Sequence, residues 1–164
     1  MNFPVDNAEL QKVAQLLVKK QETISVAESV TAGLLQVSFA SAENAIQFFQ
    51  GGITAYNLGQ KCRHLKINPI QAENCNCVSG DTAESMALHC CELFSSEWGI
   101  GITGYASAVP ESGNKLFAYA AVAYKGKILS SRRLRLPEGN MQQAQAYYVN
   151  HVLQELSRLM KRKK

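Results

Sequence analysis

Apolar residues along this chain alternate between a helical spacing and short continuous runs. Spacings of three and four predict a helix over 8–20, and the apolar run at 23–27 predicts a buried strand. The same criteria predict further helices over 31–40, 44–49, 58–65, 79–97 and 141–160, and further strands over 53–56, 98–104, 116–124 and 127–136. Gly51-Gly52 indicates a turn before the strand predicted over 53–56. Residues 105–115 indicate an exposed loop, because their apolar residues show no regular spacing.

The order of these elements predicts an α/β fold. Helices and strands alternate over the first two thirds of the chain, and Lys125-Gly126 then joins two strands as a hairpin. We therefore expect three layers, α/β/α, around a mixed sheet that is mostly parallel and ends in an antiparallel hairpin. With 164 residues and no internal repeat or linker, we predict one domain over 1–160 and a basic tail over 161–164.

The distribution of charge argues against a nucleic-acid partner. The net charge is +4, but the last four residues are all basic, and the remainder has 13 basic and 13 acidic residues. A nucleic-acid binder needs basic residues clustered on a folded face, which the sequence does not indicate. No apolar run is long enough to span a membrane, and residues 1–6 show no secretion signal. We therefore predict a cytoplasmic location and no membrane partner.

The cysteines do not have the spacing of a metal site. Cys75 and Cys77 form a Cys-x-Cys pair, and His89-Cys90-Cys91 follows on a predicted helix. Zinc ribbons and fingers use pairs of ligands separated by two or more residues, and adjacent residues on a helix point about 100° apart. We therefore expect reduced thiols, with no metal and no cofactor.

A strand, a tight turn and the start of a helix meet at Ser29. Such a turn places a hydroxyl beside the free backbone N–H groups of the helix, which suits a nucleophile. Lys61 follows the next strand, and a lysine that is removed from water can accept a proton from a serine. The alternatives are an ordinary helix cap at Ser29 or Thr31 and a solvated lysine at 61. Tyr56 either adds a polar group to the same pocket or closes the core.

Three further residues, at the ends of two strands, are candidates for the site. Glu28 ends the first strand, where its carboxylate would orient the turn or bind a substrate hydroxyl; the alternative is a cap on backbone N–H groups. Thr103 and Gly104 end a central strand, which is where open α/β sheets bind their ligands.

These motifs, in this order, resemble the CinA C-terminal domain family, which includes the nicotinamide mononucleotide amidases. Ala27–Leu34, A-E-S-V-T-A-G-L, resembles the family segment A-E-S-C-T-G-G-L, and Gly51–Lys61 resembles G-G-x-x-x-Y-S-N-x-x-K. Val78–Ala87 and Ile102–Gly104 resemble two further family segments. The resemblance covers nearly the whole chain with consistent spacing.

The resemblance implies an amidohydrolase that converts nicotinamide mononucleotide to nicotinic acid mononucleotide and ammonia through an acyl-enzyme. It implies Ser29 as nucleophile and Lys61 as base, assisted by Tyr56, without a metal or cofactor. The substrate-binding residues that we predict are Glu28, Thr31, Gly33, Asn57, Thr103 and Gly104. We therefore expect a nucleotide-like small molecule as the partner. We also expect that the chain can form a homodimer.

The chain departs from the family pattern where the substrate is expected to bind. Val30 and Ala32 replace a cysteine and a glycine, and an alanine at 32 fits best where the backbone needs no positive φ. Segments 105–117 and 137–145 lack the family's glycine-rich loop and its arginines. The alternative hypothesis is therefore a catalytically silent relative that acts as a binding or regulatory module.

Overall fold

The computed structural model describes residues 4–162. Its helices are α1 (Asn7–Lys20), α2 (Leu34–Ser41), α3 (Leu58–Leu65), α4 (Pro69–Asn74), α5 (Gly80–Phe94) and α6 (Met141–Arg162). Its strands are β1 (Ile24–Glu28), β2 (Phe49–Thr54), β3 (Trp98–Tyr105), β4 (Leu116–Tyr124) and β5 (Lys127–Leu136). Short 3-10 helices occupy 45–47 and 110–112.

The five strands form one mixed sheet in the order β2-β1-β3-β4-β5. β1 pairs in parallel with both β2 and β3, and β4 pairs in antiparallel with β3 and β5. Four strands therefore run in one direction and only β4 runs in the other. The predicted α/β fold with a mostly parallel sheet and an antiparallel hairpin is confirmed.

Helices cover both faces of the sheet. On one face, α1, α2 and α6 pack on the larger apolar cluster, which includes Ile24, Val26 and Ile100. On the other face, α3, α4 and α5 pack on two smaller clusters around Ala27, Met86 and Ala121. All five residues of β1 are buried, because this strand lies between two neighbours and under helices on both sides. Its carboxyl end therefore lies deep in the molecule.

The structure corrects several predicted boundaries. Gly51 and Gly52 do not form a turn: both lie inside β2, and a Cβ on Gly52 would come within 2.6 Å of the Val26 side chain on the paired strand. Strand β2 therefore begins at Phe49 and ends at Thr54, before Tyr56. Helix α4 was not predicted, although Asn68 caps it and Pro69 begins it.

The predicted basic tail is partly helical. Helix α6 extends to Arg162, so Lys161 and Arg162 belong to its last turn, where basic residues stabilise the helix dipole. Lys163 and Lys164 lie outside the described residues.

Candidate active site

The chain leaves the sheet at Ser29 through a turn, and Ser29 is not the residue that caps helix α2. The backbone N–H of Ser29 donates to the carbonyl of Ile102 on β3, at 3.0 Å, which extends the pairing of β1 by one residue. Helix α2 begins only at Leu34, because Ala32 and Gly33 have φ angles of +49° and +101°. Ala32 thus adopts the left-handed conformation that favours glycine, so the expectation that the backbone at 32 needs no positive φ is wrong.

The Glu28 carboxylate caps this turn. It accepts hydrogen bonds from the Thr31 hydroxyl at 2.5 Å and from the backbone N–H groups of Gly33 at 3.2 Å, Leu35 at 3.0 Å and Gln36 at 2.8 Å. The side chain is fully buried. Both of its oxygens are occupied within the protein, so Glu28 has the geometry of the capping alternative. The carboxylate also neutralises the positive end of α2.

Lys61 lies against the hydroxyl of Ser29. Asn57 caps α3 by accepting from the backbone N–H of Gln60, and this places Lys61 in the first turn of the helix, pointing back toward the end of β1. Its Nζ lies 3.0 Å from Ser29 Oγ and donates to the Tyr56 carbonyl at 3.1 Å. The two hydrogen bonds fix the amine beside the hydroxyl.

Burial changes the acid–base behaviour of Lys61. Only 2% of the residue is exposed, and removal from water lowers the pKa of its ammonium group. The thiols of Cys77 and Cys62 oppose this shift in part, since their thiolate forms would favour the charged lysine. A lowered pKa increases the fraction of neutral amine that can accept the Ser29 proton.

A cavity of about 350 Å³ opens above Ser29 and Lys61. We call it the Ser29 cavity. Its wall is formed by Ser29, Val30, Ala32, Tyr56, Lys61, Asn76, Val78, Thr103, Gly104, Tyr105, Ala106, Ser107, Val109, Met141 and Gln145. The cavity has the size of a small-molecule site.

Two backbone N–H groups next to Ser29 have no hydrogen-bond partner within the described residues. Across the part of the chain that the structure describes, the N–H groups of Val30 and Thr31 make no hydrogen bond, whereas those of Ser29, Ala32 and Gly33 all do. The N–H of the residue after a nucleophile is a common donor to the oxyanion of a tetrahedral intermediate. The turn therefore places the Ser29 hydroxyl next to two backbone N–H groups without a partner, which is the arrangement that a nucleophile and an oxyanion donor would need.

The structure brings five of the predicted site residues to the Ser29 cavity: Ser29, Lys61, Tyr56, Thr103 and Gly104. Thr103 is buried, and its hydroxyl donates to the Cys77 carbonyl at 2.7 Å. Gly104 allows β4 to approach, because a Cβ here would lie 2.4 Å from the Phe117 carbonyl oxygen. Tyr56 is 74% exposed, so its ring lies at the cavity rim and does not close the core.

The other predicted substrate contacts lie outside the Ser29 cavity. Glu28 and Asn57 act as caps, as described above. Thr31 and Gly33 line a neighbouring cavity of about 290 Å³, which shares Ala32 and Gln145 with the first. A substrate that extends from Ser29 toward α2 would reach these two residues.

Gln145 is a positioning residue that the sequence pattern did not single out. It lies on the buried face of α6, and its Nε2 donates to the Val30 carbonyl at 3.0 Å. A polar residue within an apolar helix stripe is the one local signal that could have indicated it. Asn76 is a second such residue, since its amide donates to the Tyr105 hydroxyl at the cavity wall.

Within residues 4–162, no three His, Cys, Asp or Glu side chains converge as a metal site would require. Over the same residues, none of the helices combines the length and apolarity needed to cross a membrane.

The sequence model of the CinA C-terminal domain family matches residues 6–160. The chain belongs to this family. A CinA-like protein of Picosynechococcus is 37% identical over 123 residues, which cover 74% of this chain and 29% of that protein. The chain thus spans less than a third of the length of the relatives that it matches first.

Solved structures of CinA superfamily proteins share the fold. One from Klebsiella pneumoniae has a TM-score of 0.89 at 20% identity and covers 99% of each chain. One from Enterobacter cloacae has a TM-score of 0.88 at 25% identity and covers 98% of this chain and 95% of the other. The CinA fold therefore extends over the whole described structure.

Proposed function

We propose that this chain is an amidohydrolase that cleaves a linear amide through an acyl-enzyme on Ser29. The observation that carries the proposal is the 3.0 Å contact between Ser29 Oγ and the buried Nζ of Lys61 at the floor of a cavity. Membership of the CinA family supports nicotinamide mononucleotide as the first substrate to test.

The geometry supports the following reaction. Ser29 Oγ attacks the amide carbon while its proton passes to neutral Lys61, and the carbonyl oxygen becomes an oxyanion that the N–H of Val30, at the cavity wall, would stabilise. Lys61 returns the proton to the amide nitrogen, the C–N bond breaks, and ammonia leaves. Water then attacks the acyl-enzyme after giving a proton to Lys61. The carboxylic acid leaves, and Ser29 recovers its proton from Lys61.

The test is release of ammonia from nicotinamide mononucleotide by the purified protein. Ser29→Ala and Lys61→Met should each lower the rate at least about a thousandfold, because each removes a group that acts in the chemical step. Ser107→Ala is a matched control, since Ser107 lines the same cavity but is not one of the two hydrogen-bond partners of the lysine amine. Equal rates in all four proteins would contradict the proposal.

The alternative is a silent relative that binds a ligand without hydrolysing it. The observation that favours it is the composition of the cavity wall, which takes Tyr105, Ala106, Ser107, Val109, Met141 and Gln145 from the two divergent segments. Saturable binding of the amide with no ammonia release, in the wild type and in Ser29→Ala alike, would support this alternative.

A further inference from the structure

A cluster of aromatic and arginine side chains lies on the face of the sheet that carries α5. The strand register places Tyr105 on β3 opposite Phe117 on β4, and Phe117 opposite Arg135 on β5. In the same way, Tyr119 lies opposite Arg133. Directly opposed residues, and alternate residues along one strand, have their side chains on the same face of a sheet. We call these five residues the aromatic–arginine face.

The rings of this face hold Arg133 in place. The Phe117 ring centroid lies 5.3 Å from that of Tyr105 and 6.1 Å from that of Tyr119, and both contacts are edge to face. The guanidinium carbon of Arg133 lies 4.1 Å from the Phe117 centroid and 5.6 Å from the Tyr119 centroid. Aromatic faces attract cations, and a guanidinium over a ring keeps N–H groups that can bind an anion. Arg133 is therefore oriented before a ligand arrives.

The positive charges of the aromatic–arginine face are not neutralised by the protein. Arg133 and Arg135 are exposed, and no carboxylate of the described residues lies within 4.0 Å of either guanidinium. Lys115, just before β4, is also exposed and has no acidic partner among residues 4–162. Arg132 differs, because it lies on the opposite face and donates to the Glu155 carboxylate at 3.1 Å. Three cations beside aromatic rings thus keep their full charge.

Single-stranded nucleic acid matches this combination of rings and cations. Its bases stack on aromatic rings and on guanidinium planes, and its phosphates bind arginine and lysine. In a duplex, neighbouring bases cover both faces of each base, so the rings would gain no stacking contact. An acidic peptide would bind the arginines but would leave the rings of Tyr105 and Phe117 without a stacking partner. The rings and the cations together therefore favour a single strand.

We propose that the aromatic–arginine face binds single-stranded nucleic acid, with phosphates on its two arginines and a base against Tyr105 and Phe117. Tyr119 contributes less to stacking because α5 begins beside it, and a Cβ on Gly80 would lie 4.0 Å from the Tyr119 ring. The pairing of β4 with β5 creates this cluster, so the distribution of charge along the chain does not reveal it. This binding is separate from hydrolysis at Ser29 and does not depend on it.

The test is binding of a short labelled oligothymidine, measured by fluorescence anisotropy at several salt concentrations. Arg133→Gln combined with Arg135→Gln should raise Kd at least about tenfold, because two charge-assisted contacts to phosphate are lost. The slope of log K against log salt should fall in magnitude by about 1.4, the value for two phosphate contacts to a single strand. Arg63→Gln combined with Arg162→Gln is the matched control. It removes the same charge from exposed positions outside the face and should change Kd by less than about threefold.

Phe117→Leu tests the contribution of the rings. Leucine keeps apolar packing on β4 but removes both the stacking surface and the cation contact with Arg133, so Kd should rise about fivefold or more. Thermal unfolding of the variant checks that the fold is retained. The wild type should also bind the single strand at least about tenfold more tightly than a duplex of the same sequence, since only unpaired bases can stack on the rings.

Four results would overturn the proposal. Equal loss of affinity in the two double variants would show that overall charge causes the binding. A duplex bound as tightly as the single strand would exclude stacking on the rings. Polyglutamate bound as tightly as oligothymidine would favour an acidic protein partner, and no binding of oligothymidine at low salt would exclude the site. None of these results bears on ammonia release, so this proposal and the amidohydrolase proposal can fail separately.

Discussion

Glu28 and Thr31 form a buried hydrogen bond of 2.5 Å between carboxylate and hydroxyl, at the turn that contains Ser29. The same carboxylate accepts three backbone N–H groups at the start of α2. The acidic residue before Ser29 therefore fixes the backbone of the turn, while Lys61, from a different segment, contacts the Ser29 hydroxyl. The carboxylate that supports the turn and the lysine that contacts Ser29 are thus different side chains.

Replacing Glu28 should destabilise the fold. In Glu28→Gln, one carboxylate oxygen becomes an amide donor that faces backbone donors in a buried site. We expect the free energy of unfolding to fall by about 2–4 kcal/mol, measured by denaturant titration. Glu43→Gln is the matched control, because Glu43 is exposed and should change stability by less than about 0.5 kcal/mol. Equal effects at the two positions would contradict the capping role.

Ala32 is in the left-handed region, so Ala32→Gly should stabilise the protein. Relief of the steric conflict of Cβ exceeds the greater chain entropy that glycine gives the unfolded state. We expect a gain of about 0.5–1 kcal/mol in the free energy of unfolding. Ala8→Gly, at an exposed position in α1, should instead lose stability, by up to about 1 kcal/mol. A loss of stability at position 32 would show that the turn does not need a left-handed residue.

The pKa of Lys61 should control the acid side of the activity profile. Burial lowers the pKa, and only the neutral amine accepts the Ser29 proton, so kcat/KM should rise as pH increases through that lowered pKa. The pKa itself can be followed in Ser29→Ala by NMR of ¹³C-labelled lysine. Lys61 should titrate at lower pH than Lys12, whose pKa is raised by the Glu9 carboxylate. A Lys61 resonance that titrates together with Lys12 would contradict this assignment.

Glu155 should contribute to stability above acidic pH. Hydrogen bonds from Arg158 and Ser130, with the charge of Arg132, lower the pKa of this carboxyl to about 2. The folded state binds a proton less readily than the unfolded state, so this stabilisation is present above the unfolded pKa, near 4.5, and is lost as pH falls toward 2.

The variant Glu155→Gln tests this contribution. At neutral pH it should lose about 1–3 kcal/mol of stability, and the difference from the wild type should shrink between pH 4.5 and 2. Thermal unfolding across this range measures the effect. A difference that stays constant with pH would exclude a role for the ionised carboxylate.

The α/β fold could be predicted from the sequence, because the spacing of apolar residues and the length of apolar runs depend only on neighbouring residues. The hairpin at Lys125-Gly126 and the long helices follow directly from them. Gly51-Gly52 misled the prediction, because glycine here serves close contact between strands and not chain reversal. Helix α4 has only six residues, too few for an apolar period to show.

The site could be predicted only in part, for a similar reason. Motifs indicated Ser29 and Lys61 as candidate site residues, although the two lie 32 positions apart in the sequence. The hydrogen bond between Gln145 and the Val30 carbonyl joins residues 115 positions apart, and no local pattern indicates such a pair. The capping role of Glu28 likewise depends on where α2 begins, which two positive φ angles determine.

The Ser29 cavity is assembled from several separate portions of the chain. Ser29, Tyr56 and Lys61 come from the first 61 residues, whereas another part of the wall is formed by Tyr105, Ala106, Ser107, Val109, Met141 and Gln145. Apart from the single bond from Gln145 to Val30, the described contacts that hold Ser29 beside Lys61 do not involve that wall. Segments 105–109 and 140–145 could therefore be exchanged to change which ligand the cavity accepts, while Ser29 and Lys61 keep their contact.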